Sequence, residues 1–248
     1  MKQQMAVIGM WVILMTILVS GEAKLSASTL EVQLSQGSIL ATREEAGEGT
    51  YFYSVKSIPF AKAPVGDLRF KDPVAHGTWL GLRNGTIHPP LCPQVSLKTY
   101  LKGEMDVTGS EDCLYLNVYT PTLLQSPAQA GLPVMVWFHG GGFNSGGTED
   151  YEALPLLTRD IVLVVVQYRL GFLGFLSTED LVLPGNLGLK DQTLALQWVQ
   201  DNIHDLGGDP AKVTIFGESA GGASVHYQLL TPKAKGKDNL NPLLFHHS

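Results

Sequence analysis

The sequence predicts an α/β fold with a central, mostly parallel sheet that has an antiparallel beginning, on three observations. Compact apolar runs rich in branched residues follow Cys113, as expected of strands buried on both faces. A segment with the apolar spacing of a helix separates the last two runs. The stretch before residue 60 alternates apolar and polar residues, as antiparallel strands do.

The amino-terminal stretch 30–60 is predicted to form antiparallel strands, because short pieces such as Leu30, Val32 and Leu34 alternate with polar residues and are interrupted by Gly and Ser. The proline-containing stretch 59–93 shows little periodicity. It therefore predicts a long ordered loop region.

The parallel part of the sheet is predicted from four apolar runs, at 114–119, 134–138, 161–166 and 213–216. A helix is predicted between the last two from the apolar residues Leu194, Ala195, Trp198, Val199 and Ile203. Asp191 suits the first turn of this helix electrostatically, and Gly207, Gly208 and Pro210 are expected to end it. Strand, helix and strand in this order form a right-handed parallel unit.

Composition restricts the class of protein. The 248 residues are 44% hydrophobic and 16% charged, which excludes collagen, low-complexity disorder and a polytopic membrane protein. Neither a repeat nor a linker divides the chain, so one large domain or part of one is expected. With 17 Lys and Arg against 23 Asp and Glu, no basic excess is present to neutralise phosphates, and nucleic acid is not an expected partner.

Residues 1–23 have the layout of a secretory signal peptide, because Lys2 precedes an apolar stretch from Met5 to Val19 that ends in small residues. The alternative is a membrane anchor, but a span needs about 20 apolar residues and this stretch has about 15. We therefore expect residues 24–248 to be secreted, without a stable membrane span after removal of the signal.

Two further features agree with export. Cys92 and Cys113 are the only cysteines, so their pairing is unambiguous if it occurs, and the secretory route favours oxidation over two buried free thiols. The single Asn-x-Ser/Thr sequon, at Asn84, lies in a Gly-rich stretch that is expected to be exposed. It predicts glycosylation there, although many sequons stay unused.

A candidate nucleophile is given by residues 217–221, which read Gly-Glu-Ser-Ala-Gly. The pattern alone is not specific, but an apolar run precedes it and a helix-compatible stretch follows. A nucleophile at a tight strand-to-helix turn needs small residues two positions to either side, because a Cβ there would collide with the neighbouring elements. The turn would lift the Ser219 hydroxyl to the carboxyl edge of the sheet, above a helix amino terminus.

Candidate oxyanion donors follow the strand at 134–138, where the chain reads His-Gly-Gly-Gly at 139–142. The N–H groups of Gly141, Gly142 and Ala220 would form a three-donor hole. The alternative is a glycine-rich turn or a phosphate loop. No Lys-Ser/Thr follows, however, and Ser145 replaces the third glycine of a Gly-x-Gly-x-x-Gly motif.

With these motifs the chain resembles the type B carboxylesterases, the group that also contains the cholinesterases. The matching stretches are 58–61, 64–70, 111–119, 139–142, 168–171 and 207–221. The resemblance implies an α/β-hydrolase fold without a cofactor or metal. It also implies Ser219 as nucleophile, the oxyanion donors Gly141, Gly142 and Ala220, and a Cys92–Cys113 disulfide.

The same resemblance assigns supporting residues. Glu218 corresponds to a buried acid near the site, which supports the site and is not the acid of the catalytic triad. Ion pairs are implied between Arg69 and Glu111 and between Arg169 and Asp191.

The triad acid and histidine are not found. In this fold they follow the serine in the order Asp or Glu, then His. After Ser219 the chain contains no Glu, the single Asp238, and three histidines that match no triad position, of which His226 would lie about 10 Å along the helix. We therefore expect an amino-terminal part of an esterase, incomplete at its carboxyl end, with exposed apolar surface and little turnover by itself.

The substrate is expected to be a small-molecule carboxylic ester. Cholinesterases place a Trp between the two cysteines to bind a quaternary ammonium group, and this chain has none there, which favours a general carboxylesterase. The alternative is a non-catalytic cholinesterase-like protein that acts in adhesion or ligand sequestration. Members of that kind commonly lack the serine, whereas Ser219 is present.

Overall fold

The structure is a computed structural model that describes residues 28–47, 49–95, 101–103, 106–123, 131–150, 156–231 and 240–242. The predicted signal peptide, residues 1–23, lies outside the described residues, as do Asp238, His246 and His247. The described strands are β1 (Ser28–Leu34), β2 (Gly37–Gly47), β3 (Thr50–Pro59), β4 (Leu82–Arg83), β5 (Gln94–Val95), β6 (Val107–Thr108), β7 (Tyr115–Thr120), β8 (Leu132–Phe138), β9 (Val162–Val166), β10 (Gly208–Gly217) and β11 (Leu240–Pro242). The described helices are α1 (Gly171–Phe175), α2 (Leu187–Asn202) and α3 (Ala220–Leu230).

One mixed sheet organises this part of the chain. Its strands lie in the order β1-β2-β3-β7-β9-β8-β10-β11, and β4 pairs beside β2. Pairing is antiparallel from β1 to β9 along this order and parallel from β9 to β11. The predicted antiparallel beginning is confirmed, as is the parallel arrangement of the runs in β8, β9 and β10. The run at 114–119 was assigned incorrectly to the parallel part, because β7 pairs antiparallel with both β3 and β9.

The four predicted buried strands correspond to β7, β8, β9 and β10. Every residue of β9 is buried, as a central strand covered on both faces requires. In β8, by contrast, Val134, Val136 and Phe138 are buried whereas Met135 and Trp137 are only half-buried. The main core therefore covers one face of β8, and a smaller cluster around Trp137 covers the other face incompletely.

The predicted crossover helix is α2, continued by a 3₁₀ turn over Ile203–Leu206. It ends as expected at Gly207, whose φ of 85° suits glycine. Its beginning was predicted incorrectly, because α2 starts at Leu187 after Asn186 and contains no acidic residue in its first turn. Asp191 lies one turn further on, where it is fully buried in an ion pair.

The turn between β1 and β2 is attached to the end of α2. The Ser35 backbone N–H and hydroxyl donate to the Asp205 carboxylate at 2.6 and 2.7 Å. The Trp198 indole N–H donates to the Gln36 side-chain oxygen at 2.6 Å. These bonds connect the antiparallel strands to the helix that covers the parallel part of the sheet.

Candidate active site

The candidate nucleophile lies in the turn that connects β10 to α3. Ser219 has φ 54° and ψ −121°, a backbone conformation that residues with side chains rarely adopt. Its side chain is exposed, and it makes no capping hydrogen bond to α3. The Gly221 N–H donates to the Glu218 carbonyl at 2.8 Å, which closes the turn. Ser219 thus stands at the carboxyl edge of the parallel strands with a free side chain.

Backbone packing explains the two glycines of this turn. A Cβ on Gly217 would lie 2.5 Å from the Gly221 carbonyl carbon and 2.7 Å from the Phe138 carbonyl oxygen. A Cβ on Gly221 would overlap the Phe138 carbonyl oxygen and lie 2.9 Å from that of His139. Strand and helix therefore approach too closely for any side chain, as the motif predicted.

The glycine loop, defined as residues 139–147, packs directly against the turn. A Cβ on Gly140 would overlap a carboxylate oxygen of Glu218 and lie 3.2 Å from the Ser219 Cβ. Gly141 and Gly142 have φ of 100° and 61° and are exposed. The structure therefore brings the loop that contains two proposed oxyanion donors beside the candidate nucleophile.

His139 begins the glycine loop and is buried. Its ring stacks on Tyr168 with centroids 4.4 Å apart, and its Nδ1 lies 2.9 Å from the Gly140 carbonyl oxygen. Burial lowers the pKa of His139 to about 4, so the ring is neutral at pH 7. The Tyr168 hydroxyl donates to the His139 carbonyl at 2.6 Å. This arrangement supports the backbone of the loop and leaves the imidazole enclosed.

The other two candidate residues near the turn, Glu218 and His226, differ in their exposure to solvent. Glu218 is half-buried, less than the resemblance implies, because this side of the turn faces solvent in the described part of the chain. His226 lies on an exposed position of α3. This position is that of a helix-surface residue, as expected from its spacing after Ser219.

The structure brings together both predicted ion pairs. The Arg69 guanidinium donates to the two Glu111 oxygens at 2.5 and 2.7 Å, with the side chains 43% and 26% exposed. The Arg169 guanidinium donates to the two Asp191 oxygens at 2.8 and 2.7 Å, with 3% and 0% exposure. Burial raises the pKa of Asp191, and the hydrogen bonds from Arg169 oppose that rise.

Cys92 and Cys113 form a disulfide, with an S–S distance of 2.07 Å and Cα atoms 5.1 Å apart. The Cα separation lies within the usual range for disulfides, and the alternative of two free thiols does not apply to this structure. We call residues 92–113 the disulfide loop. The sequon at Asn84 is exposed, and the Asn84 side-chain oxygen accepts hydrogen bonds from the Thr86 N–H and hydroxyl at 3.0 and 2.7 Å.

A cavity of about 640 Å³ lies between the disulfide loop, the glycine loop and α1. The residues that line it include Pro93, Gln94, Val95, Gly141, Leu170 and Phe172. Most of this lining is apolar, so the space suits the carbon chain of a small molecule next to the glycine loop.

Two features are absent from the described residues, a cluster of metal-ligating side chains and a helix of membrane-spanning length. No group of three or more His, Cys, Asp or Glu side chains that could hold a metal ion occurs in the described ranges. Among these same residues, every helix is too short or too polar to cross a bilayer.

Comparison with known proteins identifies similar sequences. A family model described as the carboxylesterase family matches residues 28–247. Carboxylesterase 1E of Mus musculus is 50% identical over 187 residues, which cover 72% of this chain and 33% of that protein. Juvenile hormone esterase of Tribolium castaneum is 47% identical over 207 residues, covering 83% and 34%. Venom carboxylesterase-6 of Apis mellifera is 44% identical over 207 residues, covering 83% and 36%.

Solved structures agree with these relatives. The crystal structure of juvenile hormone esterase from Manduca sexta, with OTFP covalently attached, has a TM-score of 0.75 and 33% identity, covering 85% of this chain and 39% of that chain. A PNB esterase has a TM-score of 0.71 and 42% identity, covering 85% and 42%. Both are esterases of the α/β-hydrolase fold, so the predicted fold class is confirmed. The chain spans about one third of the length of the curated relatives.

Proposed function

The chain belongs to the carboxylesterase family, and from that membership we propose that it contains the nucleophile and the oxyanion donors of a serine carboxylic ester hydrolase. The observation that supports this assignment most directly is the strained backbone of Ser219, which holds an exposed hydroxyl against the glycine loop. Strained residues of this kind cluster at active sites, where the surrounding structure holds them in place.

In the proposed reaction, the Ser219 oxygen bonds to the ester carbonyl carbon, and the carbonyl electron pair moves onto its oxygen. The N–H groups of Gly141, Gly142 and Ala220 stabilise the resulting oxyanion. Collapse breaks the ester C–O bond, and the alcohol leaves with the proton that the serine lost. Water then attacks the acyl carbon, its bond to the Ser219 oxygen breaks, and the carboxylic acid leaves while the serine recovers a proton from the water.

Proton transfer in this scheme needs a base within about 3 Å of the serine. His139 is enclosed against Tyr168, and His226 lies in the second turn of α3 with an exposed side chain. We propose that the triad acid and histidine are not provided by the 248 residues, so that the chain by itself retains only the contribution of the oxyanion donors and of binding.

A fluorophosphonate probe tests the nucleophile in the full chain expressed in a secretory host. We expect slow modification of Ser219, detected as an adduct by peptide mass spectrometry and absent in Ser219→Ala. Failure of excess probe to modify Ser219 selectively would overturn the nucleophile assignment. Saturable binding of an ester without modification would instead favour a ligand-sequestering protein.

A short-chain nitrophenyl ester tests the proposed lack of a base. We expect no sustained turnover above that of Ser219→Ala. Steady-state hydrolysis that is abolished by Ser219→Ala would show that a base within the chain reaches the serine, and would contradict this part of the proposal.

We also propose that the protein is secreted, with residues 1–23 removed, and that Asn84 is glycosylated. The similarity to venom carboxylesterase-6 supports export, and the exposed Asn84 side chain supports modification. Secretion from eukaryotic cells should yield a chain that begins at Lys24 and loses mass on N-glycosidase treatment. Asn84→Gln should abolish this mass change. A membrane-bound chain that keeps residues 1–23 would support the anchor alternative.

The proposed substrate is a small-molecule carboxylic ester whose carbon chain occupies the cavity beside the glycine loop. Its apolar lining, which includes Pro93, Val95 and Leu170, supports an uncharged group at this position.

A further inference from the structure

Gln94 connects the disulfide loop to the glycine loop. It lies two residues after Cys92 in β5, and the residue is 9% exposed. It is separated from its main partner, Gly146, by 52 residues in sequence. Its position was not singled out by any sequence motif.

The Gln94 amide pairs with both backbone groups of Gly146. Its Nε2 donates to the Gly146 carbonyl at 2.9 Å, and its Oε1 accepts from the Gly146 N–H at 2.8 Å. The second Nε2 hydrogen donates to the Cys92 carbonyl at 3.1 Å. The side chain therefore makes with Gly146 the two hydrogen bonds that a neighbouring strand would make. Both ends of its buried amide are hydrogen-bonded.

Gly146 in turn contacts the beginning of the glycine loop. Its φ is 107°, and a Cβ there would lie 2.6 Å from the His139 Nδ1 and 2.9 Å from the Gly140 carbonyl oxygen. Gly140 itself packs against Ser219. A continuous series of close contacts thus runs from Gln94 through Gly146 and Gly140 to Ser219.

We propose that Gln94 is a positioning residue that holds the glycine loop, and with it the N–H groups of Gly141 and Gly142, in place relative to Ser219. The contact anchors the glycine loop beside the disulfide, because only Pro93 separates Gln94 from Cys92. The catalytic consequence rests on the proposed ester hydrolase function, whereas the structural contact does not.

Two substitutions separate hydrogen bonding from packing. Gln94→Met keeps an unbranched side chain of similar length and removes both hydrogen-bonding ends. Gln94→Glu keeps the shape, but its carboxylate would face the carbonyl oxygens of Gly146 and Cys92 instead of donating to them. Protonation of that glutamate restores an O–H donor, so the contact should recover at acidic pH.

Hydrogen exchange of the full chain measures the contact without catalysis. In Gln94→Met we expect exchange of a peptide over 139–147 to accelerate roughly three- to tenfold, as loss of one or two hydrogen bonds would produce. Gln94→Glu should exchange faster than wild type at pH 7 and approach wild type at pH 5, when each is compared at the same pH. Exchange in β9 should not change.

Gln36→Met is the matched control, because Gln36 also holds two segments together but lies at the turn between β1 and β2. It should leave exchange in 139–147 unchanged. Acceleration in 139–147 by both variants equally would reflect general destabilisation and would overturn the proposal. Unchanged exchange in folded Gln94→Met would overturn it as well.

The rate at which the fluorophosphonate probe modifies Ser219 tests the catalytic part. We expect a fall of at least about tenfold in the modification rate of Gln94→Met at saturating probe, which is a fraction of the loss on removing an oxyanion donor. Accelerated exchange with an unchanged modification rate would overturn the catalytic role. If wild-type Ser219 is never modified, the ester hydrolase proposal fails, and exchange still decides whether Gln94 holds the loop.

Discussion

Two arginine–carboxylate pairs of the molecule use the same chemistry in different surroundings. Arg169 and Asp191 are buried, as are His139 and Gly221, and we call these four residues the buried base. Arg69 and Glu111 are partly exposed, and we call them the rim. In both pairs the guanidinium donates two hydrogen bonds to the carboxylate. The two pairs differ in whether water can replace a lost partner. Water reaches the rim but not the base. Asp191 also accepts the Arg169 backbone N–H at 3.0 Å, so burial together with this third bond should make its substitution the more costly one.

The largest effect is expected from Asp191→Asn. The Arg169 charge would remain buried without a counter-charge, which typically costs about 3–5 kcal/mol of unfolding free energy. Urea unfolding followed by tryptophan fluorescence measures the loss. A midpoint equal to that of wild type would show that water reaches this pair, and the contrast between base and rim would fail.

Gly221→Ala tests the base through its backbone packing. Because the added Cβ would overlap the Phe138 carbonyl oxygen, we expect a loss of about 3 kcal/mol, although alanine favours a helix more than glycine does. Gly77→Ala is the control, since Gly77 has open space around it and only a φ of 78° to accommodate. It should cost about 1 kcal/mol. Equal losses of unfolding free energy in the two variants would show that close packing at Gly221 is not the cause of its loss.

His139 makes the buried base sensitive to acid. Its pKa is about 4 in the folded chain, against an ordinary value of 6.5 for a solvated histidine, so its contribution to stability is complete above pH 6.5 and is lost as pH falls toward 4. Between pH 7 and pH 5 this loss amounts to about 2 kcal/mol. His139→Gln should lose correspondingly less stability over this interval than wild type. The exposed His226→Gln should behave as wild type, and a wild-type slope in His139→Gln would contradict the assignment.

The smallest effect is expected from Glu111→Gln at the rim. Water and salt compete for the exposed Arg69 guanidinium, so the unfolding midpoint should change far less than in Asp191→Asn. The small difference from wild type should also shrink as salt is raised, because screening weakens exposed pairs. A loss comparable to that of Asp191→Asn, independent of salt, would show that the two pairs are equivalent.

The sequence predicted those parts of the site that depend on local pattern. The glycines around Ser219 were recognisable because a tight turn between strand and helix excludes side chains at fixed spacing. The apolar runs at 114–119 and 161–166 identified β7 and β9, because a strand that is covered on both faces needs mostly apolar residues. By contrast, the start of α2 was predicted incorrectly, because Asp191 does not lie in the first turn and pairs instead with Arg169, in the segment between β9 and α1.

Contacts between distant segments were predicted only where the family resemblance implied them, as for the two ion pairs and the disulfide, and two further contacts were missed. The Tyr168 hydroxyl reaches the His139 carbonyl across 29 residues, and the Gln94 amide reaches Gly146 across 52. Neither residue differs in type or spacing from an ordinary buried polar residue. Their partners are backbone groups, which every residue has, so the sequence contains no complementary signal.

The bonds between the turn of β1 and β2 and the end of α2 also constrain the order of folding. Ser35 and Asp205 are 170 positions apart, and Gln36 and Trp198 are 162 apart. A ribosome that has completed the first hairpin must add most of the remaining chain before these partners emerge. Contacts of such separation carry a large loop-closure entropy and slow folding. The first strands made are therefore among the last to reach their final attachments.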